Sequence, residues 1–130
     1  MIGLDTNVLL RWLVDDGEDR AQRSAARRAL ADRPVFISVV TLVETMGVLR
    51  TGYRRPWREI VELTRAVLAN AGVTVENAGQ IGAALRDWEA FGADPADHIV
   101  AHAGAAGGCE TTLTFDNKAS RSPHMRLLTP

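Results

Sequence analysis

The sequence predicts an α/β fold, namely an α/β/α sandwich in which a short, mostly parallel central sheet is flanked by helices. Short apolar runs alternate along the chain with longer segments whose apolar residues recur at helical spacing. Strands that alternate with helices in this way predict βαβ units and a parallel sheet. Right-handed crossovers between the strands then give a compact sandwich.

Five short apolar runs are predicted to be strands, at residues 2–5, 35–37, 73–75, 112–115 and 126–128. Helices are predicted at residues 7–14, 18–31, 39–51, 56–70, 77–91 and 94–107, with one further helical turn at 117–120. Ser38 is expected to cap the third helix and Gly52 to end it. Asp94 and Pro95 are expected to begin the last long helix.

The length and composition predict one domain that covers residues 1–130. Hydrophobic residues make up 46% of the chain, which is typical of globular proteins. No apolar run reaches the roughly 18 residues that a membrane span needs, and no signal peptide is expected. The single cysteine, Cys109, excludes an internal disulfide and fits a reducing cytosol, so a cytoplasmic protein is expected. Cys109 itself is expected to be a small buried residue.

The basic residues are nearly all arginine, although the formal net charge of −1 does not indicate a nucleic-acid-binding protein. One arginine cluster, Arg50, Arg54 and Arg55, lies at and just after the end of the third helix. Such a cluster is either a solvated helix face or a set of phosphate contacts, since arginine binds phosphate with two parallel hydrogen bonds.

Four acidic residues fall near the predicted carboxyl ends of strands, where open α/β sheets bind their ligands. They are Asp5, Glu44, Asp97 and Asp116. Each also has a purely structural explanation. Asp5 and Asp116 can cap a helix or form a turn, Thr41 with Glu44 fits a capping box, and Asp97 is a favourable acid in the first turn of its helix. A parallel sheet can, however, bring all four to one edge.

Clustered carboxylates repel one another and stay ionised together only if a positive charge compensates them. A hard divalent cation with oxygen ligands does this, and such a site can polarise a phosphodiester and activate a water molecule. The four acids therefore predict a metal site with Asp5 as its first ligand.

The geometry of the last long helix predicts different roles for two nearby acids, Asp94 and Asp97. With about 100° per residue, the residues Ala96, Ile99, Val100 and Ala103 form one apolar stripe. This geometry places Asp97 at the border of the stripe and Asp94 further toward solvent, so Asp97 is assigned to metal and Asp94 mainly to capping.

The same helical geometry places His98 and His102 on the polar face. Their helical spacing would suit zinc, but no third ligand is evident, so solvated histidines are the favoured interpretation.

Four stretches of the sequence carry a family resemblance in the expected order: IGLDTNVLLRWL, FISVVTLVETMGVL, GADPADHIVAHAGAAGGC and TLTFDNKA. With them, the chain resembles a PIN-domain ribonuclease, specifically a VapC-type toxin of a toxin–antitoxin pair, over almost its whole length. The segment DPADHI departs modestly from the family pattern in its proline and histidine.

The resemblance places the family's acidic site on Asp5, Glu44 and Asp97, with Asp116 as a more variable fourth acid. Thr6 and Asn7 match the first motif, and Thr114 matches a hydroxyl near the last acid. The family implies RNA cleavage that depends on Mg²⁺ or Mn²⁺, a homodimer, and inhibition by a cognate antitoxin protein.

Two other functions remain as alternatives. A haloacid-dehalogenase-like phosphatase also has an aspartate after its first strand, but it needs a second acid two residues later, where this chain has Asn7. The second alternative is a PIN-like module that binds RNA or protein without cleavage. The presence of all four acids argues against it.

Overall fold

The fold alternates strands and helices along the chain, as the sequence predicts. A computed structural model describes all residues, 1–130. The strands are Ile2–Gly3 (β1), Val35–Ile37 (β2), Val73–Val75 (β3), Thr112–Thr114 (β4) and Met125–Leu127 (β5). The helices are Thr6–Leu13 (α1), Arg20–Leu30 (α2), Val39–Thr51 (α3), Trp57–Ala69 (α4), Ala78–Phe91 (α5) and Pro95–Ala106 (α6), with a 3₁₀ turn at Ala119–Arg121. The predicted α/β class is confirmed.

All strand pairs are parallel, and they form two short sheets. One sheet has the order β1-β2-β3, with Ile2 opposite Val35 and Val35 opposite Val73. The other sheet pairs β4 with β5, with Thr112 opposite Met125. The sequence did not predict this division, because hydrophobic periodicity identifies a strand but not its partner.

The chain consists of two compact units, Met1–Glu76 and Asn77–Pro130, here called the first and the second unit. In the first unit, α1 packs against α2 and α3, while α4 packs against α3 and β3. Its core residues include Leu9, Ile37, Leu42, Met46, Leu49, Ile60 and Val61. The α3 residues in that set recur every three or four positions, which is the spacing that places them on one helix face.

In the second unit, the main packing is between α5 and α6, and α6 also contacts β4. Helix α5 buries Ile81, Ala84 and Leu85, which share one face at the spacing i, i+3 and i+4. None of the helices in either unit combines the length and the apolar character that a membrane crossing requires.

Helix boundaries follow the predicted caps at three positions. The Ser38 hydroxyl accepts a hydrogen bond from the Thr41 backbone N–H and caps α3, and Gly52 is the C-cap of the same helix. Asp94 caps α6. The capping box considered at Thr41 and Glu44 is wrong, because Ser38 already supplies the cap and Thr41 lies inside the helix.

The predicted apolar stripe of α6 is confirmed at Ile99 but wrong at Val100 and Ala103. The helix buries Pro95, His98, Ile99 and Ala101, whereas Val100 is 53% exposed and Ala103 also faces solvent. The buried face is therefore centred on the side of the helix that carries His98. Cys109, expected to be buried, is exposed.

Candidate active site

Asp5 lies where β1 ends and α1 begins. The Leu4 N–H still donates to the Phe36 carbonyl (3.2 Å), and Asp5 itself is extended, so the chain turns into the helix directly after it. Oδ1 of the exposed Asp5 accepts a hydrogen bond of 3.1 Å from the Val8 N–H. This carboxylate is thus the N-cap of α1, and its second oxygen is left for a ligand.

Glu44 is an exposed residue of α3, and a hydrogen bond near it fixes this part of the helix. The Thr41 hydroxyl donates to the Leu4 carbonyl at 3.3 Å. Thr41 lies three residues before Glu44 and hence on the same side of the helix, while Leu4 directly precedes Asp5. The first unit therefore ties the helix that carries Glu44 to the strand end that carries Asp5.

Sequence reasoning missed Glu76, another carboxylate of the first unit that lies at the end of a strand. It follows β3 directly, whereas Asp5 lies two residues after β1, and its N–H extends the sheet by donating to the Ile37 carbonyl (2.9 Å). Oε1 of Glu76 accepts from the Val39 N–H at the start of α3 (3.0 Å). Its position after a buried strand was the signal that could have identified it. Its observed role is to hold the first turn of α3.

A groove of about 370 Å³ runs between α1 and α2 beside Asp5. Its polar lining includes Asp5, Asn7 and Arg11, and its floor includes the small residues Ala25 and Ala26. Asn7 belongs, with Thr6, to the first turn of α1. The groove is thus an accessible surface that leads to one of the predicted acids.

In the second unit, Asp94 and Asp97 occupy the start of α6 with different roles. Oδ1 of Asp94 accepts from the Ala96 N–H at 2.8 Å, so Asp94 is the N-cap, as predicted. Asp97 lies in the first turn and is partly buried. Burial raises the pKa of the Asp97 carboxyl above its ordinary value, and the negative charges of Asp94 and Asp116 raise it further.

Asp116 follows β4 and forms the turn that comes next. Its Oδ1 accepts from the N–H groups of Lys118 (2.8 Å) and Ala119 (3.3 Å), which starts the 3₁₀ turn at Ala119–Arg121, two residues later than predicted. The Thr114 hydroxyl accepts from the Asp116 N–H at 3.0 Å. Thr114 therefore holds the backbone of the acid that it was expected to support.

The second unit thus places Asp94, Asp97 and Asp116 close enough for their charges to interact. These carboxylates offer oxygen atoms with excess negative charge; Asp97 is partly buried, Asp116 is exposed, and the charges of Asp94 and Asp116 oppose the ionisation of Asp97. Hard divalent cations prefer such ligands, and a bound cation would offset the repulsion at Asp97. The chemistry of these oxygen donors is therefore of the kind that suits a divalent metal ion.

The predicted solvated positions of His98 and His102 are wrong. His98 is fully buried, and its Nε2–H donates to the Gly92 carbonyl at 2.6 Å. His102 is partly buried, and its Nε2–H donates to Asp87 Oδ2, also at 2.6 Å. The two imidazoles therefore have separate partners. A polar residue can occupy a buried face when a folded loop supplies an acceptor.

The arginine cluster is partly engaged in contacts within the first unit. The Arg50 guanidinium lies 4.9 Å from the centre of the Trp57 ring and donates to the Arg55 carbonyl. Arg55 forms an ion pair with Glu59. Arg54 is exposed, with a backbone φ of 54°.

The comparison with known proteins identifies the family. No curated protein matches this sequence. The PIN domain family matches residues 2–124, a range that includes Asp5, Glu44, Asp97 and Asp116. Because this match covers nearly the whole chain, the protein belongs to the PIN domain family, whose members are generally metal-dependent nucleases.

Proposed function

We propose that this protein is an endoribonuclease that depends on Mg²⁺, or alternatively Mn²⁺, and acts as the cytoplasmic toxin of a toxin–antitoxin pair. The observation that carries the nuclease assignment is the family match over residues 2–124. The VapC-type subclass, the RNA substrate, the cognate antitoxin and the homodimer rest on the sequence resemblance. We further propose that residues 1–130 act as one PIN domain.

The metal ligands in this proposal are Asp5, Glu44, Asp97 and Asp116. Support comes from the sequence pattern, and from the charge repulsion at Asp97, which a cation would relieve. A divalent ion held by these residues would polarise the phosphodiester and activate a water molecule. Asp97 would orient the attacking water, and no serine, cysteine or histidine nucleophile is required.

The supporting residues hold these acids in place. Thr114 holds the backbone of Asp116, and Asp94 fixes the first turn of α6 before Asp97. Thr6 and Asn7 begin the helix that Asp5 caps. Arg50, Arg54 and Arg55 contribute to RNA affinity and not to the chemical step.

The experiment compares two aspartates that share a structural role. Asp5 and Asp19 are both exposed N-caps whose side chains accept from the N–H three residues later, Val8 for Asp5 and Gln22 for Asp19. Asn caps helices about as well as Asp, so both Asp5→Asn and Asp19→Asn should remain folded. Metal-dependent cleavage of a mixed RNA substrate should be lost in Asp5→Asn, retained in Asp19→Asn, and abolished in the wild type by a chelator.

Two outcomes would contradict the proposal. Cleavage that persists in excess chelator would exclude metal-dependent chemistry. RNA binding without cleavage in the presence of Mg²⁺ or Mn²⁺ would identify the protein as a non-cleaving module. The toxin role has its own test, since expression of the wild type should arrest bacterial growth while expression of Asp5→Asn should not.

A further inference from the structure

Three side chains from separate segments of the second unit meet outside the proposed acidic site. They are Asp87 of α5, His102 of α6 and His124, which directly precedes β5. Each offers one potential ligand atom, and these three atoms all lie within 4.8 Å of one another. The rings of His102 and His124 meet edge to face, with centroids 4.8 Å apart.

The surrounding structure holds this group in place. Helices α5 and α6 pack closely, which brings Asp87 to His102. The backbone of His124 is fixed from two sides, because its carbonyl accepts from the Thr112 N–H (2.9 Å) and its N–H donates to the Ser122 hydroxyl (3.2 Å). The side chains of His102 and Asp87 are only 16% and 22% exposed. The three groups are therefore positioned before any ligand arrives.

Two imidazoles and one carboxylate form a donor set with a definite metal preference. Imidazole nitrogen suits Zn²⁺ and its neighbours among the transition metals, whereas Mg²⁺ prefers oxygen ligands alone. Three protein ligands with a free fourth position are also a common arrangement around Zn²⁺. This group therefore differs in chemistry from the acidic residues proposed to bind Mg²⁺.

The distances agree with a small adjustment on binding. Ligand atoms around a tetrahedral Zn²⁺ are about 3.3 Å apart, given bond lengths of about 2.0–2.1 Å. The hydrogen-bonded pair Asp87 and His102 is closer than this, at 2.6 Å, and the most distant pair is separated by up to 4.8 Å. We expect small side-chain rotations to bring all three donors to the required spacing.

We propose that Asp87, His102 and His124 form a transition-metal site that binds Zn²⁺, separate from the proposed catalytic acids. A bound ion would join α5, α6 and the segment before β5, and so stabilise the second unit. The inference does not depend on the nuclease assignment, because it rests on the geometry of these three residues alone.

The histidine content of the chain permits a direct test. The protein has three histidines, and His98 is buried with its Nε2–H on the Gly92 carbonyl, so it serves as an internal reference. A titration with ZnCl₂ is monitored through the imidazole C–H signals in proton NMR spectra. Excess Mg²⁺ is present to occupy the proposed acidic site. One equivalent of Zn²⁺ should shift the His102 and His124 signals and leave the His98 signal unchanged.

Variants assign the ligands. His124→Gln and Asp87→Asn should each weaken Zn²⁺ affinity, measured by calorimetry, by about tenfold or more. Cys109→Ser and Asp97→Asn should leave it unchanged, which excludes the exposed thiol and the acidic site as the source of binding. Circular dichroism should show that all four variants are folded.

Zinc should also raise the melting temperature of the wild type and of Asp97→Asn, but not that of His124→Gln. The proposal would be overturned if saturating Zn²⁺ left the His102 and His124 signals unmoved, or if Zn²⁺ affinity were the same in His124→Gln as in the wild type. Loss of Zn²⁺ binding in Cys109→Ser would likewise overturn it.

Discussion

The Thr41 hydroxyl donates a hydrogen bond of 3.3 Å to the carbonyl of Leu4, the residue directly before Asp5. Thr41→Val removes this bond and should lower the free energy of unfolding by about 1 kcal/mol. Because the bond ties α3 to the end of β1, the variant should also bind Mg²⁺ more weakly and cleave RNA more slowly. Urea denaturation and a Mg²⁺ titration of cleavage check both effects.

Thr64→Val is the matched control for this experiment. Thr64 is a buried threonine of α4 whose hydroxyl donates to the Ile60 carbonyl at 2.8 Å. Its replacement should also lower stability but leave the Mg²⁺ dependence of cleavage unchanged. An equal change in Mg²⁺ dependence for both variants would show that Thr41 acts only through general stability.

Asp94 and Asp97 should respond differently to the same substitution. Asp94→Asn keeps a good helix cap, so it should retain most of the stability and cleavage of the wild type. Asp97→Asn removes a proposed ligand charge and should lose cleavage. Cleavage and melting temperature are measured for both variants, which distinguishes a loss of activity from a loss of stability. An inactive Asp94→Asn together with an active Asp97→Asn would reverse our assignment.

Loss of the Asp97 charge should raise stability when no divalent ion is present. The raised pKa of Asp97 means that the folded protein disfavours its charged form, since burial and the charges of Asp94 and Asp116 oppose ionisation. In a chelating buffer near neutral pH, Asp97→Asn should therefore melt above the wild type. Added Mg²⁺ should stabilise the wild type more than the variant. A lower melting temperature for metal-free Asp97→Asn would contradict this.

Tyr53 should stabilise the first unit in a pH-dependent way. Its hydroxyl donates to Asp16 Oδ2 at 3.0 Å. The Glu18 backbone N–H and then the Tyr53 hydroxyl lower the pKa of Asp16 below its ordinary value of 3.8. The stabilisation by ionised Asp16 is thus present above that value and is lost as pH falls through the lowered pKa.

The substitution Tyr53→Phe tests the hydrogen bond between Tyr53 and Asp16. It should lower the melting temperature near neutral pH, and the difference from the wild type should shrink in acid below the ordinary pKa of Asp16. Thermal melts across the acid range measure this difference. A constant difference at all pH values would assign the effect of Tyr53 to packing or to the hydrogen bond that its hydroxyl accepts from Arg11, and not to its hydrogen bond with Asp16.

Arg54 should contribute to RNA affinity at some expense in stability. Its φ of 54° lies in the left-handed region, which glycine adopts without strain. Arg54→Gly should therefore raise the free energy of unfolding by about 1 kcal/mol. It should also weaken RNA binding and flatten its salt dependence, because an exposed phosphate contact is lost. An unchanged salt dependence in filter binding would identify Arg54 as a solvated residue without contact to RNA.

The sequence by itself determined the features that depend on local interactions. Helix starts at Ser38 and Asp94 follow from the short-range bonds of a cap, and the strand at Val35–Ile37 follows from its apolar run. The position of Asp5 between β1 and α1 is likewise a property of neighbouring residues. These features require no knowledge of distant parts of the chain.

Only the tertiary structure decided which side of α6 is buried. A helical projection treats His98 as polar and Val100 as apolar, yet His98 is buried and Val100 is exposed. The reason is that the cost of burying an imidazole depends on its partner, and the Gly92 carbonyl reaches His98 only after the loop before α6 has folded. Only the tertiary structure likewise shows that Asp87, His102 and His124 form a group. They lie far apart in the sequence, and the packing of α5, α6 and β5 brings them together.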